Sequence, residues 1–272
     1  MVERRTLRVV VLVAVVAVVG VLTVGAAVYG FLQPEPSSVE HVHEYEVAVE
    51  PNRTLTNVTL YLPVPVAGGE SVVGEAVAAG SPGVVDRPGN WSYAVVDTEY
   101  GPMLRVTAPR IEPRTTVRPR PRPTPETPPA TTAVPGTVTP ADGRVVVEPY
   151  RIEASVPTKE PVDTRDPVGR KPTLAPRSNA RETACSTPVT EGAVCRSFET
   201  RVFLAYDAPA DATVGVYVRY EGRNEWFEGG WTGNAFTQRV AVERRGPGTG
   251  WVVVTATERT GVGAYPGGDL AP

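Results

Sequence analysis

The run Phe198-Glu199-Thr200-Arg201-Val202-Phe203-Leu204-Ala205-Tyr206 and the run Val214-Gly215-Val216-Tyr217-Val218-Arg219-Tyr220, separated by the turn Asp207-Ala208-Pro209-Ala210-Asp211, decide the fold. Phe198, Thr200, Val202, Leu204 and Tyr206 occupy every second position of the first run, and Val214, Val216, Val218 and Tyr220 those of the second. A period of two puts one set of side chains on one face of an extended strand, so each run reads as a half-buried strand. Asp and Pro between them are turn formers.

The same pattern recurs outward in both directions. Upstream, Tyr45, Val47 and Val49 alternate before the turn Pro51-Asn52. Val58, Leu60 and Leu62 follow, and Pro63 and Pro65 are expected to stop that strand. Trp91, Tyr93 and Val95 alternate next, then Leu104 and Val106 behind the turn Gly101-Pro102. Arg144 to Val147, Tyr150 and Ile152 resume the signal. Downstream, Glu221-Gly222-Arg223-Asn224 reads as a hairpin loop, followed by Phe236, Val240 and, past the turn Gly246 to Gly250, Trp251 to Thr257. Glu70 to Ala79 reads equally as a short helix or a strand. Short strands separated by turns predict a mainly β fold, an antiparallel β-sandwich. The 26 glycines and 29 prolines in 272 residues agree with many turns and little helix.

Two segments interrupt the pattern. Residues 113–140 hold Arg118-Pro119-Arg120-Pro121-Arg122-Pro123 and a Thr/Pro run. Such a sequence favours solvated polyproline II and predicts a disordered insert, a substrate for O-glycosylation at its threonines. Its functional alternative is a basic ligand for an acidic envelope polymer or a PxxP docking site. Residues 157–195 read as a second long loop, partly held by a disulfide.

At the N-terminus, Val9 to Leu32 are 24 residues without a charge. At ~1.5 Å per residue a helix of that length reaches ~36 Å, enough to cross a ~30 Å hydrocarbon core. Arg4, Arg5 and Arg8 precede it, and no Lys or Arg follows until Arg53. The positive-inside rule then predicts a cytoplasmic tail at 1–8, a transmembrane anchor at 9–32 and an exported domain at 33–272. Tyr29 and Phe31 fall where an outer aromatic belt would lie. A cleaved signal peptide is the rival, but its apolar region spans only ~7–15 residues.

Export fits the two cysteines. Cys185 and Cys195 flank a polar turn, and in an oxidising compartment so close a pair predicts one disulfide. Their spacing matches neither a redox CxxC pair nor zinc ligation. Asn52, Asn57 and Asn90 each open an N-x-S/T sequon. The net charge is −3, but the N-terminal tail and the stretch from Arg110 to Arg122 are each locally net positive, so the rest of the chain is acidic. That excludes nucleic acid as a partner, because phosphate binding needs a broad cationic face.

Four blocks carry a resemblance. They are Asn57-Val58-Thr59-Leu60-Tyr61-Leu62-Pro63-Val64-Pro65, Val96-Asp97-Thr98-Glu99-Tyr100-Gly101-Pro102-Met103-Leu104, Asp163-Thr164-Arg165-Asp166-Pro167-Val168-Gly169, and the stretch from Gly222 to Asn234 with Trp226-Phe227-Glu228-Gly229-Gly230-Trp231 at its centre. In these the chain resembles an uncharacterised family of haloarchaeal membrane-anchored surface proteins. The resemblance implies a surface location and carries no catalytic residue.

Candidate sites are few. His41 and His43 share a strand face, a spacing some zinc sites use, but a metal site needs further ligands. Asp207 and Asp211 would offer carboxylates to calcium, although a plain turn explains them as well. Asp97 and Glu99 would share a face as an acid/base pair. No nucleophile elbow, zincin helix or phosphate loop occurs, and no cofactor is implied. Trp226, Phe227 and Trp231 cluster in a Gly-rich turn where exposed rings would stack on a sugar, while packing predicts that at least one tryptophan belongs to the core. The chain therefore reads as a non-enzymatic, membrane-anchored surface protein, an envelope component contacting a glycan or protein partner. The alternative is an exported enzyme or metal-binding protein using His41/His43 or the acidic turns.

Overall fold

In the computed structural model, residues 39–119, 143–186, 192–227 and 230–265 are described; the predicted tail, the predicted anchor and most of the Pro-rich segment lie outside them. The strands are β1 (Glu40–Pro51), β2 (Leu55–Val66), β3 (Val85–Asp86), β4 (Ser92–Thr98), β5 (Gly101–Ile111), β6 (Arg114–Pro119), β7 (Gly143–Glu148), β8 (Tyr150–Pro157), β9 (Thr173–Ala175), β10 (Ser178–Thr183), β11 (Val194–Asp207), β12 (Thr213–Phe227), β13 (Trp231–Arg245) and β14 (Gly248–Gly263), with helix α1 (Val72–Ala79) after β2. Twelve of the strands form one antiparallel sheet, hydrogen-bonded in the order β3-β8-β1-β12-β13-β14-β11-β2-β5-β4, with β9 added to β2 and β10 to β11.

The sheet is curled into a half-barrel because the alternating residues give it one apolar face to bury. Tyr45, Val47 and Val49 of β1 share a core with Leu60 and Leu62 of β2, Val202 and Leu204 of β11, and Val216, Val218 and Tyr220 of β12. β1 and β2 lie five places apart along the sheet, yet the Tyr45 hydroxyl donates 2.9 Å to the Pro63 carbonyl across the interior. The two halves of one sheet thus enclose a core as two stacked sheets would.

The open side is closed by α1, which packs on β4 and β5 near one end of the sheet, on β8 near the other, and on β2. Ser71 caps it, its hydroxyl accepting from Gly74 N at 3.0 Å, and Gly80 ends it in the left-handed conformation. Eight residues rich in valine are a poor isolated helix, so burial of Val73 and Val77 settles the ambiguous Glu70–Ala79 stretch.

Four local expectations are corrected. Pro63 and Pro65 lie within β2; their missing N–H groups fall where β2 changes partner, from β5 up to Pro63 to β9 at Val64–Val66. Glu221–Asn224 is mid-strand, and the hairpin turns beyond Phe227. Gly222 makes room for a ring, since a Cβ there would stand 2.3 Å from Phe236. Residues 157–195 contain β9, β10 and a strap whose Val162, Thr164 and Leu174 are buried. The Pro-rich segment begins as β6, paired with β7 in a separate ribbon that matches Thr115 with Val147 and Val117 with Val145.

The half-barrel has two rims. The first holds the start of β1, the β12–β13 hairpin and the end of β14, because Glu40 pairs with Glu225 and Gly263 with Asn234. The second holds the turns at Asn52, Asp207–Asp211 and Gly246, where Pro51 pairs with Val214 and Tyr206 with Gly248.

Candidate functional site

β12 and β13 run on past Glu225 to the pair Phe227–Trp231, so the hairpin overhangs the first rim. Gly233 permits the close approach of the two strands there; a Cβ would stand 2.3 Å from the Asn224 carbonyl. Trp231 is 61% exposed, and its ring meets Phe227 edge-on at 5.9 Å. Trp226 and Phe227 are half-buried, and the Trp226 indole nitrogen is buried without a hydrogen-bond partner. Neither tryptophan belongs to the core, contrary to the packing expectation. The hairpin is long enough to carry both beyond the layer that Tyr220 and Phe236 fill. Beside Trp231 runs a groove of about 300 Å³ lined by Arg223, Glu225, Thr232 and Gly233. Arg223 in it is held at 3.0 Å by both Glu44 and Glu225.

A second aromatic surface covers the convex face. Tyr61, Phe203 and Trp251 lie abreast on β2, β11 and β14. Their ring centroids are 5.1 Å apart for Tyr61–Phe203 and 5.2 Å for Phe203–Trp251. Tyr100 meets Trp251 edge-on at 4.9 Å and carries the Arg201 guanidinium over its ring at 4.4 Å. The sequence reading passed over these residues. Their signal is one of phase: Phe203 falls between the inward Val202 and Leu204, where alternation calls for a polar side chain, and Tyr61 falls likewise between Leu60 and Leu62.

The predicted ligands do not converge. His41 Nδ1 lies 2.7 Å from Asn224 Oδ1 and His43 Nδ1 lies 2.8 Å from the Tyr220 hydroxyl. Burial, with Lys171 nearby, holds His43 at a pKa of about 4, so it is neutral near pH 7. Among the described residues no group of three or more His, Cys, Asp or Glu is arranged to hold a metal ion. Asp211 instead accepts from Arg53 at 2.9 Å, which lowers its pKa, and Asp207 accepts from Asn57 at 2.7 Å. Asp97 and Glu99 are exposed.

The interior at the first rim is polar and carries a network of hydrogen bonds. Asn224 grips both backbone groups of Val162 at 2.8 Å and donates to Asn234 at 2.8 Å. Thr164 donates to Asn234 at 2.8 Å. Deeper in, the buried Glu258 takes a two-pronged Arg177 at 2.7 and 3.1 Å and a bond from Gln238 at 2.6 Å; Gln238 in turn accepts from Leu174 N. These contacts fasten the strap to the inner face.

The Cys185–Cys195 disulfide is formed and fixes the end of β10 to β11. Asn52, Asn57 and Asn90 are all exposed. A second groove, about 520 Å³, gathers Glu44, Glu46, Asp86, Glu153 and Glu221 on the outer face, where Arg151 binds Glu46 and Arg219 binds Glu221. No family model matches the chain, and neither the curated proteins nor the solved structures contain a match.

Proposed function

We propose that this chain is a non-enzymatic protein of the cell surface, a sandwich-like β ectodomain held by one transmembrane helix at Val9–Leu32 with its N-terminus in the cytoplasm. The observation that carries the reading is the polarity of the half-barrel. The chain enters at the first rim, while two sequon asparagines, Asn52 and Asn57, and the β6–β7 ribbon leading into the Pro-rich segment belong to the opposite rim. An anchor at the N-terminus would put the glycosylation sites and the Pro-rich arm farthest from the membrane, where glycans and partners are accessible. The likeness of the Gly222–Asn234 block to haloarchaeal surface proteins agrees with that placement.

Protease added outside intact cells is expected to cut the Pro-rich segment of the full chain; an arm cut only after the cells are opened overturns the orientation. A role in contacting an envelope glycan is favoured by the convex aromatic row Tyr61–Phe203–Trp251, whose rings occupy outward positions in a chain with only 7% aromatic residues. Trp251→Ala is expected to abolish retention on immobilised envelope polysaccharide while the far-ultraviolet spectrum stays that of the parent. Equal retention of parent and variant removes the glycan role.

A further inference from the structure

We infer that the β12–β13 hairpin tip docks on the outer leaflet of the membrane that the chain's own anchor spans, with Trp231 and Phe227 seated among the lipid headgroups. The inference rests on the anchored reading above. The argument is one of reach and direction. Seven residues, Gln33 to Val39, separate Leu32 from Glu40. Fully extended, they span at most about 25 Å, so the first rim stays within that distance of the bilayer boundary. β12 runs antiparallel to β1, with Glu225 opposite Glu40, so Trp226 and Phe227 continue toward the side from which the chain arrives. At about 3.4 Å per residue, the hairpin overhangs Glu40 by about 7 Å before it turns.

The side chains at this end fit an interface. Trp231 is exposed to 61%, Val39 to 51% and Val168, on the strap that Thr164 and Val162 hold to the same rim, to 41%. Tryptophan and phenylalanine partition into the headgroup layer, where a ring is half in water and half in hydrocarbon. The carboxylates of Glu40 and Glu225 flank the tip and oppose deeper insertion. A free glycan would be read better by the convex row, which stands toward the second rim, away from the membrane side.

The test uses the full chain reconstituted in phosphatidylcholine vesicles whose acyl chains carry bromine just below the headgroups. Flotation with the vesicles reports the anchor separately. In the floating protein, brominated lipid is expected to quench tryptophan emission. Trp231→Phe is expected to remove roughly half or more of that quenching, whereas Trp251→Phe leaves it unchanged. Both rings are off the core, so both variants fold. Protein that fails to float overturns the anchored reading itself. Floating protein whose quenching is the same with and without Trp231 overturns the docking alone. Emission that ignores bromine but shifts on adding chitotetraose also overturns it and assigns the tip to sugar binding.

Discussion

His43 shows how one position on the inner face sets a pH response. It is buried against the Tyr220 ring and hydroxyl, and the charge of Lys171 on the strap adds to the effect of burial in lowering its pKa. Its pKa of about 4 in the folded chain lies below the ordinary value of 6.5. The unfolded chain therefore binds the proton first as pH falls, and the folded state loses stability between pH 6.5 and 4 at up to about 1.4 kcal/mol per unit. Above pH 6.5 this contribution is complete. His43→Gln keeps a partner for Tyr220 and does not titrate. Urea unfolding from pH 7 to pH 5 is expected to fall steeply for the parent and nearly not at all for the variant; matching slopes would show that another group titrates there.

At the scale of elements, the strap that runs from the end of β8 through β9 to Arg177 decides whether the half-barrel stays filled. It is held by Asn224 and Asn234 at the rim and by Gln238 and Glu258 deeper inside. The Arg177 side chain is only 12% exposed and the Glu258 side chain is fully buried, so each is costly without the other. Glu258→Leu is expected to lose about 3–5 kcal/mol, since it leaves a buried guanidinium unpaired. Arg177→Met in the same chain is expected to restore most of that loss. Denaturation of the two single variants and the double variant measures the coupling, and additive losses would mean the pair does not act as a unit. Arg196, 3.7 Å from Glu258, is the residual cation that limits the recovery.

At the scale of the molecule, the second rim carries an appendage that the core does not need. β6 and β7 form their own two-stranded sheet, outside the hydrogen-bonded order of the main one. Replacing residues 120–142 by a short Asn-Gly turn is expected to leave the melting temperature of the domain within a few degrees, because ribbon and core share little packing. A drop of 10 °C or more, on the order of a lost core side chain, would place the segment against the barrel.

Much of this molecule was legible in the chain itself. Alternation at Tyr45–Val49, Phe198–Tyr206 and Val214–Tyr220 determined the strands and the buried face, because a period of two has one structural meaning. The cysteine spacing determined the disulfide. What the sequence could not decide was which strands meet and where the chain crosses the interior. Pro63 and Pro65 look like strand ends until β9 and the Tyr45 hydroxyl supply what β2 needs. Gly222 looks like a turn until Phe236 is packed against it. Residues 157–195 look like a loop because Asn224, Gln238 and Glu258, which bury the strap, lie far along the chain. Local pattern records each strand's own preference, whereas pairing order, the curl of the sheet and the exposure of Trp231 follow from contacts between distant segments, and only the tertiary structure decides those.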